Sequence, residues 1–275
     1  MWYMLQKIIR LPYLVFVYIY KGFKGIFKFL FIEEKDGKTD TFATVKGILI
    51  ALFLAILIRS FLYEPFHIPS GSMKPGLKDG DFIFVSKYDF GYTKYSFPFG
   101  LPIFNGRIFF KNKPQRGDVL VFRLPSEPHI NYIKRLIGLP GDEIQMKDGK
   151  LFINNKEISK TYIGEIEEYD GNPKSKVKAF REVLDNSKEV VVLDKVDDGN
   201  GDNTAVFTVP EHHYFFMGDN RDNSLDSRFK ETGFVPEENL IGKARMIFLS
   251  SKENPLKFWK WHKIIRRDRF FKTIE

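Results

Sequence analysis

Between Lys46 and Arg59 the chain runs without a charge through Gly47-Ile-Leu-Ile-Ala-Leu-Phe-Leu-Ala-Ile-Leu-Ile58. Taken alone this run is short for a bilayer crossing. The flanking Lys46 and Arg59 can snorkel toward headgroups, and Phe42, Ala43, Val45, Phe61 and Leu62 continue the apolar character. Residues 42–62 therefore read as a transmembrane helix of about 31 Å at helical rise, close to the thickness of the hydrocarbon core. The competing reading is a buried helix of a soluble protein. Lys35, Lys38 and Lys46 precede the run, and after Arg59 the next basic residue is Lys74. The positive-inside rule then keeps the N-terminus cytoplasmic and sends the bulk of the chain to the other side.

The charge distribution supports a membrane setting. The 275-residue chain carries a net charge of +8. Residues 1–46 hold eight Lys/Arg against four Asp/Glu, and residues 252–275 hold eight against three. The body between them is close to neutral, whereas a nucleic-acid binder would place a basic stripe on its folded surface. Residues 1–41 read as a basic, aromatic cytoplasmic or interfacial segment, in which Leu11–Tyr20 is short for a further span. Residues 252–275, with Phe258-Trp-Lys-Trp-His-Lys-Ile-Ile-Arg-Arg267, read as a tail suited to a lipid surface. The chain has no Cys, which excludes disulfides, thiolate catalysis and Cys-ligated zinc.

Residues 63–251 read as one mainly β domain. Short runs at Asp81–Ser86, Gly117–Arg123, Tyr132–Ile137 and Leu151–Asn154 are predicted strands, separated by Gly, Pro, Asp and Asn. Asp148-Gly149 has the composition of a tight hairpin turn. Residues 155–203 are highly charged and read as a smaller, more exposed β insertion, with strand-like runs at Val190–Leu193 and, just beyond, Val206–Val209.

Three segments carry groups capable of chemistry. Directly after the span, Pro69-Ser-Gly-Ser-Met-Lys-Pro75 sets serine hydroxyls in a turn that Pro and Gly constrain. A turn of this kind can present a nucleophile beside backbone N–H groups, though most serine-rich turns are only turns. Lys134 lies among apolar residues on a predicted strand. If buried, its amine loses hydration and is biased toward the neutral form, a general base; if solvated, it is an ordinary strand lysine. The third segment, Gly218-Asp-Asn-Arg-Asp-Asn-Ser-Leu-Asp-Ser-Arg228, is dense in Asp and Arg. A calcium loop built on Asp219, Asp222 and Asp226 is the weaker reading, because the loop lacks the EF-hand order and contains two arginines. A structural Asp–Arg network is the stronger one.

Pro69-Ser-Gly-Ser-Met73, Arg116-Gly-Asp-Val-Leu-Val-Phe122, Tyr132-Ile-Lys-Arg135 with Gly138-Leu-Pro-Gly-Asp142, and Gly218–Ser224 with Asp226-Ser-Arg228 follow in that order behind a single apolar run. In this the chain resembles the bacterial type I signal peptidases, membrane-anchored Ser/Lys endopeptidases of the secretory pathway. The resemblance covers about residues 45–250 and implies an antiparallel-sheet catalytic domain anchored by an N-terminal transmembrane helix. It implies Ser72 as nucleophile and Lys134 as general base. Ser70, with the Ser72 backbone N–H, would form the oxyanion hole, and Ser224 would orient the Lys134 amine. Arg135, Asp219, Asp226 and Arg228 would form the supporting network.

Substrates would be secreted preproteins cut after small residues at positions −1 and −3. Phe66, Ile68, Pro69, Ile83, Val121, Tyr132 and Ile133 would line the pockets, with Met73 and Leu77 at the small one. The resemblance implies neither cofactor nor metal, and a place in the inner (plasma) membrane with the catalytic domain on the periplasmic side, near the secretion translocon. Gly76 stands where the family commonly has Thr. Two rivals remain at this stage. One is a His-based triad using His67, His212 or His213. The other is a membrane-anchored, non-catalytic binding or scaffolding protein.

Overall fold

The computed structural model describes residues 41–97, 106–108, 112–168, 175–184 and 187–274. The expectations for residues 1–40 lie outside them. The chain forms two compact units, residues 1–57 and 58–275.

Helix α1 spans Thr41–Phe61 with Arg59 in its last turn, where a cation complements the exposed carbonyls. Ile48, Leu49, Leu52, Phe53 and Ile56 on this helix are all at least half exposed. A helix clad in exposed Ile, Leu and Phe is not the core helix of a soluble domain, and the stretch Thr44–Phe61 is long and apolar enough to cross a membrane.

The second unit is mainly β, with antiparallel sheets. Its largest sheet has the order β1-β2-β14-β3-β4-β12-β13, with β15 also paired to β14. These strands are β1 (Tyr63–His67), β2 (Asp81–Ser86), β3 (Val119–Arg123), β4 (Asn131–Gly138), β12 (His213–Met217), β13 (Val235–Pro236), β14 (Leu240–Ser250) and β15 (Lys272–Thr273). A four-stranded sheet holds β5 (Glu143–Lys147), β6 (Lys150–Ile153), β7 (Lys156–Glu157) and β11 (Phe207–Thr208). The β5–β6 turn is Asp148-Gly149, both at positive φ, as a two-residue hairpin with right-handed strand twist requires. A three-stranded sheet holds β8 (Ser159–Glu168), β9 (Ser175–Val183) and β10 (Glu189–Asp194).

Two regions depart from the sequence reading. The 155–203 segment is more than an exposed insertion. Leu184, Val190 and Val192 are buried in one cluster with Ile137, Ile144, Phe215 and Met217 of the neighbouring strands. In Lys188-Glu-Val-Val-Val-Leu-Asp194 an apolar run sits between charged ends, and Val190 and Val192 share the face that is buried. Residues 252–275 are likewise not a detached tail throughout. Arg269 is buried, and donates from Nε and Nη2 to the Asp81 carboxylate at 3.0 and 2.5 Å. The buried carboxylate of Asp81 needs such partners, and β15 then pairs with β14 through Met246 and Ile247. The stretch from Leu256 to Trp261 keeps Leu256, Phe258 and Trp259 exposed, at 78%, 71% and 62%.

Candidate active site

The first serine segment connects β1 to β2. Its base is closed by backbone bonds from Ile68 N–H to Asp81 O and from Gly80 N–H to Ile68 O, both 2.8 Å. Within it, Lys74 N–H reaches Gly71 O at 3.1 Å and Leu77 N–H reaches Met73 O at 2.8 Å. The apolar side chains of Ile68, Met73 and Leu77 point into the core, so the loop is pinned from below. Ser72 is left at its turn, 6% exposed.

Strand β4 delivers the partner. Lys134 pairs in register with Leu120 of β3, and β4 is buried along most of its length. Lys134 Nζ lies 2.7 Å from Ser72 Oγ, across 62 residues of chain. The lysine is 5% exposed, and its Nζ also lies 5.1 Å from the centre of the Tyr132 ring. Burial lowers its pKa from 10.5 to about 8, against an opposing pull from the Asp226 and Asp219 carboxylates. Ser70 Oγ is 3.4 Å from Ser72 Oγ on the exposed side. Among the described residues the hydrogen-bond partners of Ser72 Oγ are Lys134 and Ser70. The histidines point elsewhere: His67 packs on Phe82, His212 faces Glu237 and His213 bonds Glu211 O.

Strand β12 runs out opposite Arg135, and the loop of residues 218–228 begins beside Lys134. Arg135 makes a two-pronged bond to Asp219, with both distances 2.7 Å, and donates to Gly117 O. Asp226 is held by Arg228 at 2.9 and 3.0 Å and by Gly218 N–H at 2.9 Å. Burial alone would raise the Asp226 pKa; the charge and hydrogen bonds of Arg228 and the Gly218 N–H outweigh it and lower the pKa. These carboxylates are therefore occupied by arginine and backbone donors, which fits a structural network. Ser224 is buried in the same wall, where its hydroxyl faces the Asp226 carboxylate and helps lower that group's pKa; it makes no hydrogen bond to the Lys134 amine.

The expected pocket walls divide. Phe66, Ile68, Met73, Leu77, Ile83, Val121 and Ile133 come together in one apolar cluster, whereas Tyr132 packs in another. Ile68, Met73, Leu77, Ile83 and Val121 are at most 2% exposed and pack as core. Apolar walls closing on one another follow from the cost of exposing them to water. Pro69 is exposed, and Phe66 and Tyr132 are half-buried. At the edge of the cluster, its members Met73, Leu77 and Val119 meet Arg135 and Asp219 around a cavity of about 410 Å³.

A family model described as signal peptidase, peptidase S26, matches residues 41–249. The chain belongs to this family. It is 41% identical over 259 residues to the signal peptidase I of Rickettsia typhi, covering 86% of this chain and 96% of that one. It is 42% identical over 240 residues to that of Rickettsia prowazekii, covering 80% and 89%. A crystal structure of a signal peptidase I from Enterococcus faecalis V583 is 28% identical and covers 48% of this chain and 97% of that chain, with a TM-score of 0.29. That overlap is too low to carry an argument. Membership makes this chain a serine peptidase of the class that removes signal peptides from preproteins, and the family is membrane-anchored.

Sequence reasoning left several residues of the signal peptidase site without a role. Asn220 donates its backbone N–H to Ser72 O at 3.0 Å and its side-chain amide to Gly71 O at 3.2 Å. Gly218 lies against the same carbonyl: a Cβ there would stand 2.6 Å from Ser72 O. Both lie inside the Gly218–Arg228 motif, whose composition marks the loop but not which of its residues reach the serine turn. Arg116 pairs with Asp142 at 3.0 Å and tethers the start of β3. Glu182, which pairs with Arg221, carried no signal at all.

Proposed function

We propose that this enzyme cleaves signal peptides with a Ser72/Lys134 dyad. The observation that carries the reading is the 2.7 Å contact between a buried lysine amine and a serine hydroxyl, with no carboxylate among the described residues bonded to the amine. A neutral Lys134 takes the proton from Ser72 Oγ as the hydroxyl attacks the scissile carbonyl, and returns it to the leaving amine. The Ser70 hydroxyl and the Ser72 backbone N–H receive the negative charge that develops on the carbonyl oxygen. Ser224, buried beside the Asp226 carboxylate, orients the amine once substrate engages Ser72.

Small residues at −1 and −3 enter beside the cluster of Phe66, Ile68, Met73, Leu77, Ile83, Val121 and Ile133, with Pro69 and Tyr132 at its exposed edge. Tight apolar packing there rejects large side chains by overlap. The organisation that supports this chemistry is a cytoplasmic or interfacial segment 1–41, a transmembrane helix over 42–62, a periplasmic catalytic domain over 63–251 and a C-terminal segment 252–275. Exposed Phe258, Trp259 and Phe271, interspersed with lysine and arginine, rest on the phospholipid surface near the translocon, where cleavage sites emerge.

The test is cleavage of a preprotein with an Ala-X-Ala site by the purified full chain. Wild type cuts after the second Ala, whereas Ser72→Ala and Lys134→Ala do not. Activity persisting in Lys134→Ala would remove lysine from the mechanism, and an inert wild type would favour a scaffold.

A further inference from the structure

Asn220 is held to the nucleophile turn on one side; on its other side the residues that hold it come from the segment 155–203. Leu193, at the end of β10, donates its N–H to Asp219 O at 2.7 Å and forms a parallel bridge with Asn220. The N–H groups of Lys195 and Val196 both reach Asp222 Oδ2, at 2.6 and 2.9 Å. Between these backbone contacts lies one buried ion pair. Glu182 of β9, fully buried, binds Arg221, itself 3% exposed, through Nη1–Oε1 at 2.7 Å and a second, shorter bond from Nη2. The carboxylates facing Arg221 are Glu182, Asp219 and Asp226. Asp219 is taken by Arg135 and Asp226 by Arg228. That leaves Glu182 as the partner that sets where Arg221 lies.

We propose that Glu182 is a positioning residue for the nucleophile: it fixes Arg221, and with it the Asp219–Asn220 backbone that holds the carbonyls of Gly71 and Ser72. The β8–β9–β10 sheet is thereby part of the support of the catalytic serine. The inference rests on the Ser72/Lys134 reading. Its physical basis is directional. A two-pronged carboxylate–guanidinium pair constrains position and angle, which apolar burial does not. A displacement of an ångström at a reacting atom can cost about 100-fold in rate.

The experiment compares full-chain variants in preprotein cleavage, with thermal melting alongside. Glu182→Gln lowers kcat by at least about tenfold with KM within about threefold. It also moves the acidic limb of the kcat–pH profile upward, because a displaced Ser72 lets water reach the Lys134 amine. The groups facing that amine are Ser72, the Tyr132 ring, Asp226 and Asp219, and the substitution touches none of them directly. The double variant Glu182→Met with Arg221→Met removes the buried charges together and recovers the melting temperature without recovering kcat. Lys178→Ala, four residues away on the same face of β9 but 44% exposed and paired with Asp197, leaves both unchanged.

Wild-type kcat and pH limb in Glu182→Gln, or recovery of rate along with melting temperature in the double variant, would reduce the pair to a stabilising contact and overturn the proposal. A fall in kcat in Lys178→Ala would also count against it, since the strand and not the pair would then be sensitive. Failure of the dyad itself reads out separately, as activity retained by Lys134→Ala.

Discussion

Two lysines are buried among the described residues, and they are buried in opposite ways. Lys87 is 2% exposed, with its Nζ 2.7 Å from Glu64 Oε2 and 2.6 Å from Ser96 O. Lys134 is almost as deep, and its bonded partner is a neutral serine hydroxyl. Burial lowers both pKa values, but at Lys87 the Glu64 carboxylate in direct contact opposes it, whereas at Lys134 the opposing carboxylates stand further off and are committed to arginines. The first arrangement suits a charge that must stay. The second suits an amine that can lose its proton near neutral pH, and that difference separates a structural lysine from a base.

The sharpest way to break the contrast is to take away each amine. Lys134→Met is expected to lower cleavage by at least about 10³-fold, the scale seen when one member of a nucleophile–base pair is removed. Lys87→Met is expected to leave kcat close to wild type in the folded fraction, while costing about 2–3 kcal/mol of stability. The cost sits at that lower end because Arg59 still bonds Glu64 Oε1, at 2.8 Å, when the lysine is gone. Equal loss of kcat in both variants would erase the distinction.

The pH profile probes the same contrast with a smaller effect. The active form is the neutral amine, so kcat/KM for the wild type is expected to rise with pH and level off above the Lys134 pKa, about 8. Two units below that pKa about 1% of the amine is neutral, so the rate falls about 100-fold. A profile flat down to pH 5 would show that no lysine of this kind is the base.

How far the sequence revealed this contrast depends on where the partners lie. Lys134 stood out because Tyr132, Ile133, Leu136 and Ile137 surround it on one strand, and the order of motifs supplied Ser72. Lys87 did not stand out. It follows Ser86 and precedes Asp89 in what reads as a polar turn, and Glu64 reaches it only through the pairing of β1 with β2. The longest strand of the main sheet was equally hard to read. β14 changes register between Leu240 and Gly242, between Ala244 and Met246, and between Ile247 and Leu249. Each slip exchanges the faces of the strand, so the period-2 pattern that marks a strand dissolves. Glu182 and Arg221 were invisible for another reason. Each sits among other charged residues, and only the fold decides which charges meet in the interior. The closing of Met73, Leu77 and Val121 into the core was also illegible, because a sequence says that a residue is apolar, not whether it faces a groove or a neighbour.

The smallest expected effect is also the one that separates the two lysines by sign. A lysine whose folded pKa is lowered binds fewer protons in the native state than in the unfolded state between the two pKa values, so stability rises with pH across that window. For Lys134 the window runs from about 8 to 10.5, and the penalty fully present below it is about 3 kcal/mol. Lys134→Met removes that penalty and also loses one hydrogen bond to Ser72, a loss of about 1 kcal/mol. The variant is therefore expected to be more stable than wild type by about 1–3 kcal/mol at pH 7. Its advantage should shrink as the pH climbs toward 10.5, measured by denaturant unfolding of the full chain at several pH values. Lys87→Met relieves a penalty of the same direction, but it also leaves Ser96 O and one oxygen of Glu64 without their donor, and that loss outweighs it. A Lys134→Met variant less stable than wild type at pH 7 would mean that the folded surroundings stabilise the Lys134 ammonium and do not penalise it, and the two lysines would then be of one kind.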